Sequence, residues 1–228
     1  MSGEAEPLRV ALDRDESISA LLEGAHGARA ALVLAHGAGA GMTHAFMADL
    51  AARLARERIA TLRFQFPYME HGGKRPDAPP VAHAAVRAAV AEAARRLPRL
   101  PLFAGGKSFG GRMTSQAQAQ APLEGVRGLV FVGFPLHPAK RPSIERAAHL
   151  EKVAVPMLFL QGTRDALAEW PLIVPTVEAL APRAALERVD EADHSFHVTA
   201  RSGRTDAQVL DALAARIAGW IEAVAPSR

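Results

Sequence analysis

The pentapeptide at positions 106–110, GKSFG, contains the serine whose surroundings most directly indicate chemistry. The apolar segment 101–104 before it predicts a short buried strand, and a helical pattern follows it. A serine at the apex of a sharp strand-to-helix turn is held in a strained backbone conformation with its hydroxyl exposed. Glycine at Gly106 and Gly110 removes Cβ atoms that would clash in such a turn. The pattern predicts a nucleophile elbow with Ser108 at its apex.

Two other interpretations of these residues stay open. The segment Gly106-Lys107-Ser108 also resembles the end of a phosphate-binding P-loop, which likewise joins a strand to a helix. That motif requires a further glycine where this chain has Pro101, and a loop where a strand is predicted here. A glycine-rich turn with an incidental serine is the simpler alternative.

Two further residues follow predicted strands in an order that suits nucleophilic catalysis. Asp165 comes after the apolar run 155–160, and His194 comes after the last run, 185–189. Ligands of an open parallel sheet bind beyond the carboxyl ends of its strands, so these side chains and Ser108 are expected at one edge. A serine hydroxyl needs an imidazole to take its proton, and the imidazole needs a carboxylate to orient it. The three residues therefore predict a Ser-His-Asp cluster.

The histidine and the acid each have a neighbour that could replace them. His197 lies close to His194, which we prefer because it comes first after the last strand. Asp193 is adjacent to His194, but adjacent side chains diverge, so Asp165 is the better partner.

Backbone N–H groups are the expected stabilisers of the negative charge that develops on an attacked carbonyl oxygen. One is the N–H of Phe109, at the start of the predicted helix. A second is expected from the glycine-rich loop at 36–41, with Ala38 as first choice and Gly37 as second. The loop could instead be only a flexible connection.

Substrate contacts are predicted for Lys107, His36 and His137, which lie beside the expected site. The two histidines could instead make structural hydrogen bonds.

The loops 67–80 and 134–156 are expected to shape the pocket. Basic side chains near the site could favour anionic acyl groups or simply be solvated; they are Lys74, Lys107, Lys140 and Arg141. The other histidines considered, His44, His83 and His149, are expected on the surface or on helices.

Apolar runs typical of strands alternate with amphipathic segments typical of helices. The run Ala30–Ala35 is apolar throughout, as in the middle of a parallel sheet. We therefore predict an α/β fold, a three-layer, doubly wound, mostly parallel sheet, with residues 1–228 in a single domain. The predicted strands cover residues 8–12, 18–22, 30–35, 59–66, 101–104, 128–132, 155–160 and 185–189, and a turn joins the first two at 13–15.

Local signals mark several helices and loops between these strands. Thr43 is the predicted N-cap of the first helix, and Thr205 with Gln208 predicts a capping box for the last. The Gly/Pro-rich segment 68–80 is predicted as a loop. A short helix is expected around 144–150.

Composition limits the possible partners. The 228 residues include no cysteine, which excludes disulfides and thiolate metal sites, and no histidine cluster has metal-ligand spacing, so neither a metal nor another cofactor is expected. The net charge is only +3 and the chain has one tyrosine, so no nucleic-acid partner is expected. No apolar run approaches the ~20 residues of a membrane span, and no signal peptide is visible, so a cytoplasmic location without membrane association is expected. The oligomeric state is open.

Five motifs together resemble the α/β-hydrolase superfamily over nearly the whole chain. They are the loop 36–40, the elbow 106–111, and the segments 133–138, 161–165 and 193–196. The chain is most similar to the compact branch without a cap, which contains dienelactone-hydrolase-like proteins and the testis-expressed and histone-acetyltransferase-associated hydrolase-like domains. This resemblance implies a minimal fold without a cap domain.

The same resemblance implies roles for the clustered residues. Ser108 would be the nucleophile, His194 the general base and Asp165 the acid that orients it. The expected activity is that of a serine hydrolase that cleaves a small carboxylic ester or thioester through an acyl-enzyme. A small peptidase or amidase with the same residues, and a binding or scaffold module that has lost catalysis, are the alternatives.

Overall fold

The computed structural model describes residues 5–12 and 16–225, and the turn predicted at 13–15 lies outside them. The described residues contain one eight-stranded sheet with the order β1-β2-β4-β3-β5-β6-β7-β8. Its strands are β1 Glu6–Ala11, β2 Ser17–Glu23, β3 Ala30–Ala35, β4 Ile59–Phe64, β5 Leu102–Lys107, β6 Val126–Val132, β7 Met157–Gly162 and β8 Ala184–Val189. The first two strands are antiparallel to their neighbours, and the other six are parallel.

Six α-helices and two short 3₁₀ helices connect the strands in the described part of the chain. The α-helices are α1 Ala45–Arg56, α2 Pro67–Glu70, α3 Pro79–Arg96, α4 Phe109–Gln120, α5 Trp170–Glu178 and α6 Asp206–Val224. The 3₁₀ helices are Glu145–Lys152 and Ala200–Ser202. None of the described helices combines the length and apolar character needed to cross a membrane.

Helices cover both faces of the sheet, so the molecule has three layers. Apolar side chains of α1 and α6, such as Leu50 and Ile217, form one buried cluster with the sheet. Side chains of α3 and α4, such as Val86 and Met113, form a second cluster on the opposite face. Because β3 is buried on both faces, each of its residues from Ala30 to Ala35 is apolar. The predicted doubly wound, mostly parallel sheet without a cap domain is confirmed.

Several local predictions differ from the structure. The N-cap of α1 is His44, whose Nδ1 accepts from the N–H of Phe46, and not Thr43. The segment predicted as a loop at 68–80 contains α2 and the start of α3, because proline is compatible with the first turn of a helix. The predicted capping box of α6 at Thr205 is present.

His83 and His149, predicted on the surface or on helices, both lie on helices, and neither ring is exposed. His83 is on α3, where its side chain is buried against two glutamines of α4, and His149 is on the 3₁₀ helix, partly buried against Ser115. Both rings face a neighbouring helix. The spacing of residues along a single helix does not reveal such a contact.

Candidate active site

A strained turn presents Ser108 at the carboxyl edge of the sheet. β5 ends at Lys107, α4 begins at Phe109, and Ser108 between them has φ 50° and ψ −114°. A Cβ at Gly106 would lie 2.3 Å from the carbonyl oxygen of Ala35, and one at Gly110 would lie 2.5 Å from the same oxygen. Glycine at both positions therefore lets the elbow pack against the end of β3.

The side chains of Ser108, His194 and Asp165 form one continuous chain of hydrogen bonds. His194 Nε2 lies 2.8 Å from Ser108 Oγ, and His194 Nδ1 lies 2.7 Å from Asp165 Oδ2. With Nδ1–H donating to the carboxylate, Nε2 is free to accept the serine proton. The structure thus brings together the three residues that sequence reasoning selected.

Asp165 is fully buried, and its carboxylate is surrounded by donors. Oδ2 accepts from Gln161 Nε2 at 2.6 Å as well as from His194, and Oδ1 accepts from the N–H of Leu167 at 2.8 Å. A buried carboxylate is stabilised in its charged form by such donors. Gln161 also accepts the N–H of Phe134 at 2.9 Å, so it ties the carboxylate to the end of β6.

Neither alternative residue is arranged like the chosen pair. His197 is exposed, and its Nδ1 pairs with Asp206 at 2.9 Å, which raises the pKa of His197. Asp193 accepts the backbone N–H groups of Ser195 and His197, so it shapes the loop around His194.

The predicted oxyanion donors come from two segments: Ala38 lies on the loop after β3, and Phe109 is the first residue of α4. Among the described residues, the N–H groups of Ala38 and Phe109 donate to no acceptor. His36 Nδ1 donates to the carbonyl oxygen of Gly37 at 2.8 Å, and the Tyr68 hydroxyl donates to the carbonyl oxygen of Ala38 at 2.8 Å. Because a trans peptide holds its N–H opposite its carbonyl, the contact at Gly37 orients the N–H of Ala38. Gly37 itself lines a cavity beside Ser108.

His36 and His137, two of the predicted substrate-binding residues, do not reach a cavity beside Ser108. His36 is buried; burial lowers its pKa, and its Nε2 accepts from the N–H of Phe66 at 3.0 Å. His137 is buried as well, and its Nδ1 donates to the carbonyl oxygen of Pro138 at 2.9 Å. Their hydrogen bonds are structural, because each ring closes the loop on which it lies.

Lys107, the third predicted substrate-binding residue, lines the cavity beside Ser108. Its ammonium donates to the carbonyl oxygen of His194 at 2.6 Å and lies over the rings of Phe46 and Phe196. Burial lowers the pKa of Lys107 to about 8, although Asp165 and Asp193 raise it. The side chain connects the nucleophile elbow to the loop that carries the imidazole.

Ser108 lies between two cavities. The first, of about 460 Å³, is walled by His194, Lys107 and residues of the 37–47 segment. The second, of about 340 Å³, lies on the α4 side and is walled by Arg112, Arg146, Asp77 and neighbouring apolar residues. A molecule bound at Ser108 can therefore extend into both cavities.

Sequence reasoning missed Gln161, Tyr68 and Arg112 as members of the site. Gln161 carries a weak signal, since a polar residue at the end of an apolar strand is unusual. Tyr68 and Arg112 carry none, because their contacts arise from the folding of α2 and α4 around the elbow. Within the described residues no group of three or more histidine or acidic side chains is arranged to hold a metal ion.

Comparison with known proteins gives one family and many similar structures. The family model described as an alpha/beta hydrolase domain matches residues 28–222. An alpha-beta serine hydrolase homologue from Coxiella burnetii superimposes with a TM-score of 0.74 at 19% identity, over 95% of this chain and 98% of that chain.

Two further structures show the same architecture. Dienelactone hydrolase from Anabaena variabilis has a TM-score of 0.75 at 19% identity, over 97% of this chain and 99% of that chain. An α/β serine hydrolase without a lid from Xanthomonas campestris has a TM-score of 0.75 at 18% identity, over 100% of this chain and 99% of that chain. At these identities the similarity establishes the fold.

Proposed function

Because the chain belongs to the alpha/beta hydrolase family, we propose that it is a serine hydrolase that cleaves a small carboxylic ester or thioester through an acyl-enzyme. The observation that carries this proposal is the unbroken hydrogen-bond chain from Asp165 through His194 to Ser108. The strained backbone of Ser108 adds to it, since strain of this kind is concentrated at functional sites.

In the acylation step Ser108 Oγ attacks the carbonyl carbon while His194 Nε2 takes the hydroxyl proton. The tetrahedral intermediate then collapses, the bond from the carbonyl carbon to the leaving oxygen or sulfur breaks, and Nε2 returns the proton to the leaving group. Water hydrolyses the acyl-enzyme by the same sequence with Ser108 as leaving group. Asp165 holds the imidazole in the required tautomer and stabilises its charged form.

The N–H groups of Ala38 and Phe109 serve as the oxyanion hole in this proposal. Both lie beside Ser108 without an acceptor in the described part of the chain. Removing one donor of an oxyanion hole typically costs ~10²–10³ in kcat. The hydrogen bonds from His36 and Tyr68 keep this loop in place before substrate arrives.

Labelling with a fluorophosphonate probe tests the proposal directly. The wild-type protein is expected to be labelled and the Ser108→Ala variant is expected to be unlabelled, because only an activated serine forms the covalent adduct. Ser17→Ala, on β2 next to the edge strand β1, is the matched control and keeps wild-type labelling. Labelling that persists in Ser108→Ala would overturn the assignment.

Measurements of turnover distinguish an esterase from the two alternatives, an amidase and a binding module. Short-chain p-nitrophenyl esters, the matching thioesters and the matching anilides are compared for wild type and Ser108→Ala. Hydrolysis of esters or thioesters in preference to anilides supports the proposal, whereas faster anilide cleavage indicates an amidase. Absence of both turnover and labelling indicates a binding module.

A further inference from the structure

Two arginines that line the cavity on the α4 side have no hydrogen-bond or ion-pair partner among the residues that the structure describes. Arg112 lies on α4, one turn after the elbow, and Arg146 lies on the 3₁₀ helix between β6 and β7. Among residues 5–12 and 16–225, neither guanidinium donates a hydrogen bond or forms an ion pair. Arg112 Nε is buried without an acceptor, and the main ring contact of this side chain is with Phe109.

Arg63, which is buried more deeply than Arg112 or Arg146, shows how this protein compensates a buried positive charge. Arg63 is 3% exposed, pairs with Glu23 at 3.2 Å and donates to the carbonyl oxygen of Met42 at 3.1 Å. Partly buried cations without a partner are costly, because their solvation by water is lost without compensation. Arg112 and Arg146 are therefore arranged for an anion that is supplied from outside the chain.

The charges around this pair leave the cavity positive. Arg112 and Arg146 line the same cavity. Burial lowers the pKa of Arg112, and the charge of Arg146 lowers it further. His149 is neutral at physiological pH, because burial and Arg112 lower its pKa to about 4. The acid in the wall, Asp77, accepts the N–H of Tyr68 and forms no ion pair with either arginine.

The position of His194 decides which half of an ester meets these arginines. The imidazole must protonate the leaving oxygen, so the leaving group lies on its side of Ser108. His194 lines the first cavity and does not line the second. The acyl chain therefore extends into the second cavity, toward Arg112 and Arg146.

We propose that the enzyme selects esters whose acyl group ends in a carboxylate, that is, half-esters of short dicarboxylic acids, with Arg112 and Arg146 binding the distal carboxylate. This inference rests on the proposed function of Ser108. Guanidinium groups bind carboxylates through paired hydrogen bonds, which suits two arginines without other partners. The cavity volume of about 340 Å³ limits the acyl group to a short chain.

The test compares monomethyl succinate, glutarate and adipate with methyl butyrate, valerate and hexanoate, which match them in chain length but lack the charge. We expect the wild-type enzyme to favour at least one half-ester over its neutral match by tenfold or more in kcat/KM. In Arg112→Gln and Arg146→Gln this ratio is expected to fall about tenfold or more, since a charge-assisted hydrogen bond is lost. Arg112→Lys and Arg146→Lys, which keep the positive charge, should retain part of the preference for half-esters.

Arg127→Gln is the matched control, because Arg127 is an exposed arginine near the start of β6, at the opposite edge of the sheet. It removes the same charge and should keep the wild-type ratio. Hydrolysis of neutral esters with no preference for half-esters, or a preference that survives both Gln substitutions, would overturn the inference while leaving the serine hydrolase intact. Absence of hydrolysis of every ester together with absence of probe labelling would overturn the proposed function instead.

Glutarate binding gives a measurement that does not depend on catalysis. Calorimetric titration of the Ser108→Ala variant with glutarate should show binding that Arg112→Gln, added to that variant, abolishes. Binding that is unchanged by Arg112→Gln would also contradict the inference.

Discussion

At the scale of single residues, the site depends on side chains that hold His194 and Asp165 in place. The Lys107 ammonium holds the carbonyl of His194, and Gln161 holds the carboxylate of Asp165. Lys107 thereby connects the end of β5 to the loop after β8, and Gln161 also accepts the N–H of Phe134 and so connects Asp165 to the segment after β6. The geometry of the imidazole therefore depends on several strand ends at once. A small displacement of any of them would change the distance between Nε2 and the serine oxygen, to which proton transfer is sensitive.

Tyr68→Phe tests whether the tyrosine hydroxyl positions the loop after β3, which carries the proposed oxyanion donor Ala38. The hydroxyl donates to the carbonyl oxygen of Ala38 at 2.8 Å, and burial together with Asp77 raises its pKa to about 12, so it remains a donor at all ordinary pH values. Its removal should lower the free energy of unfolding by about 0.5–1.5 kcal/mol, the usual contribution of one hydrogen bond. Because the loop loses one of its anchors, kcat should fall several-fold with KM little changed.

Steady-state kinetics on one neutral ester and chemical denaturation measure the two effects of Tyr68→Phe separately. A variant with the expected loss of stability but with wild-type kcat would show that the hydroxyl only stabilises the fold.

At the scale of elements, the elbow requires close approach between α4 and the end of β3. A Cβ on Gly110 would lie 2.5 Å from the carbonyl oxygen of Ala35 and 2.6 Å from that of His36. Gly219, in the middle of α6, has open space where its Cβ would be. The two helical glycines therefore allow a matched comparison. Packing leaves no room for a side chain at Gly110, whereas a side chain at Gly219 would meet no other atom.

Gly110→Ala is expected to destabilise the protein by about 2 kcal/mol or more and to reduce probe labelling, because backbone atoms must move apart at the elbow. Gly219→Ala is expected to stabilise it by about 0.5–1 kcal/mol, since alanine is the better helix former. Thermal or urea denaturation measures both changes. An equal effect of the two substitutions would contradict the role of close packing at the elbow.

The elements most accurately predicted from sequence are those whose signals are local. The apolar run Ala30–Ala35 is β3 without change of boundaries, and the capping box at Thr205 starts α6. α2 was missed because prolines and glycines flank a helix of four residues, which has no periodicity to detect. β5 extends to Lys107, beyond the predicted 101–104, because its glycines pair with neighbouring strands where side chains would clash.

The distinction between local signals and tertiary packing also applies to the site. Ser108, Asp165 and His194 could be selected because each follows a strand of a parallel sheet, and the topology brings strand ends together. Arg112 and Arg146 could not be paired, since the cavity between α4 and the 3₁₀ helix exists only after packing. The burial of His83 depends on contacts of the same kind between α3 and α4.

At the scale of the whole molecule, neutral imidazoles are buried on the side of the sheet that carries α3 and α4. Burial lowers the pKa values of His36, His83 and His149, and for His149 the value falls from 6.5 to about 4. A histidine whose pKa is lower in the folded state than in the unfolded chain binds its proton more weakly when folded. The unfolded state then takes up more protons between these two values, so folding stability falls as the pH drops from 6.5 toward 4.

Substitution of His149 isolates one part of this acid sensitivity. Ser115 donates its hydroxyl to the carbonyl oxygen of Arg112 and its oxygen contacts His149 Nε2 at 2.7 Å, so an amide N–H at position 149 can replace the neutral ring. One pKa unit corresponds to about 1.4 kcal/mol, and solvent screening of the partly buried ring reduces the full effect. We therefore expect wild type to lose about 1–2 kcal/mol more than His149→Gln between pH 7 and pH 4.5.

Urea denaturation at the two pH values measures this difference, with His26→Gln as the control because His26 is an exposed histidine in a loop. The control should lose stability in parallel with wild type, since a proton on an exposed ring is solvated equally in both states. The other buried histidines remain in all three proteins, so their contributions cancel. If His149→Gln also lost stability in parallel with wild type, the acid sensitivity would have to arise elsewhere in the protein.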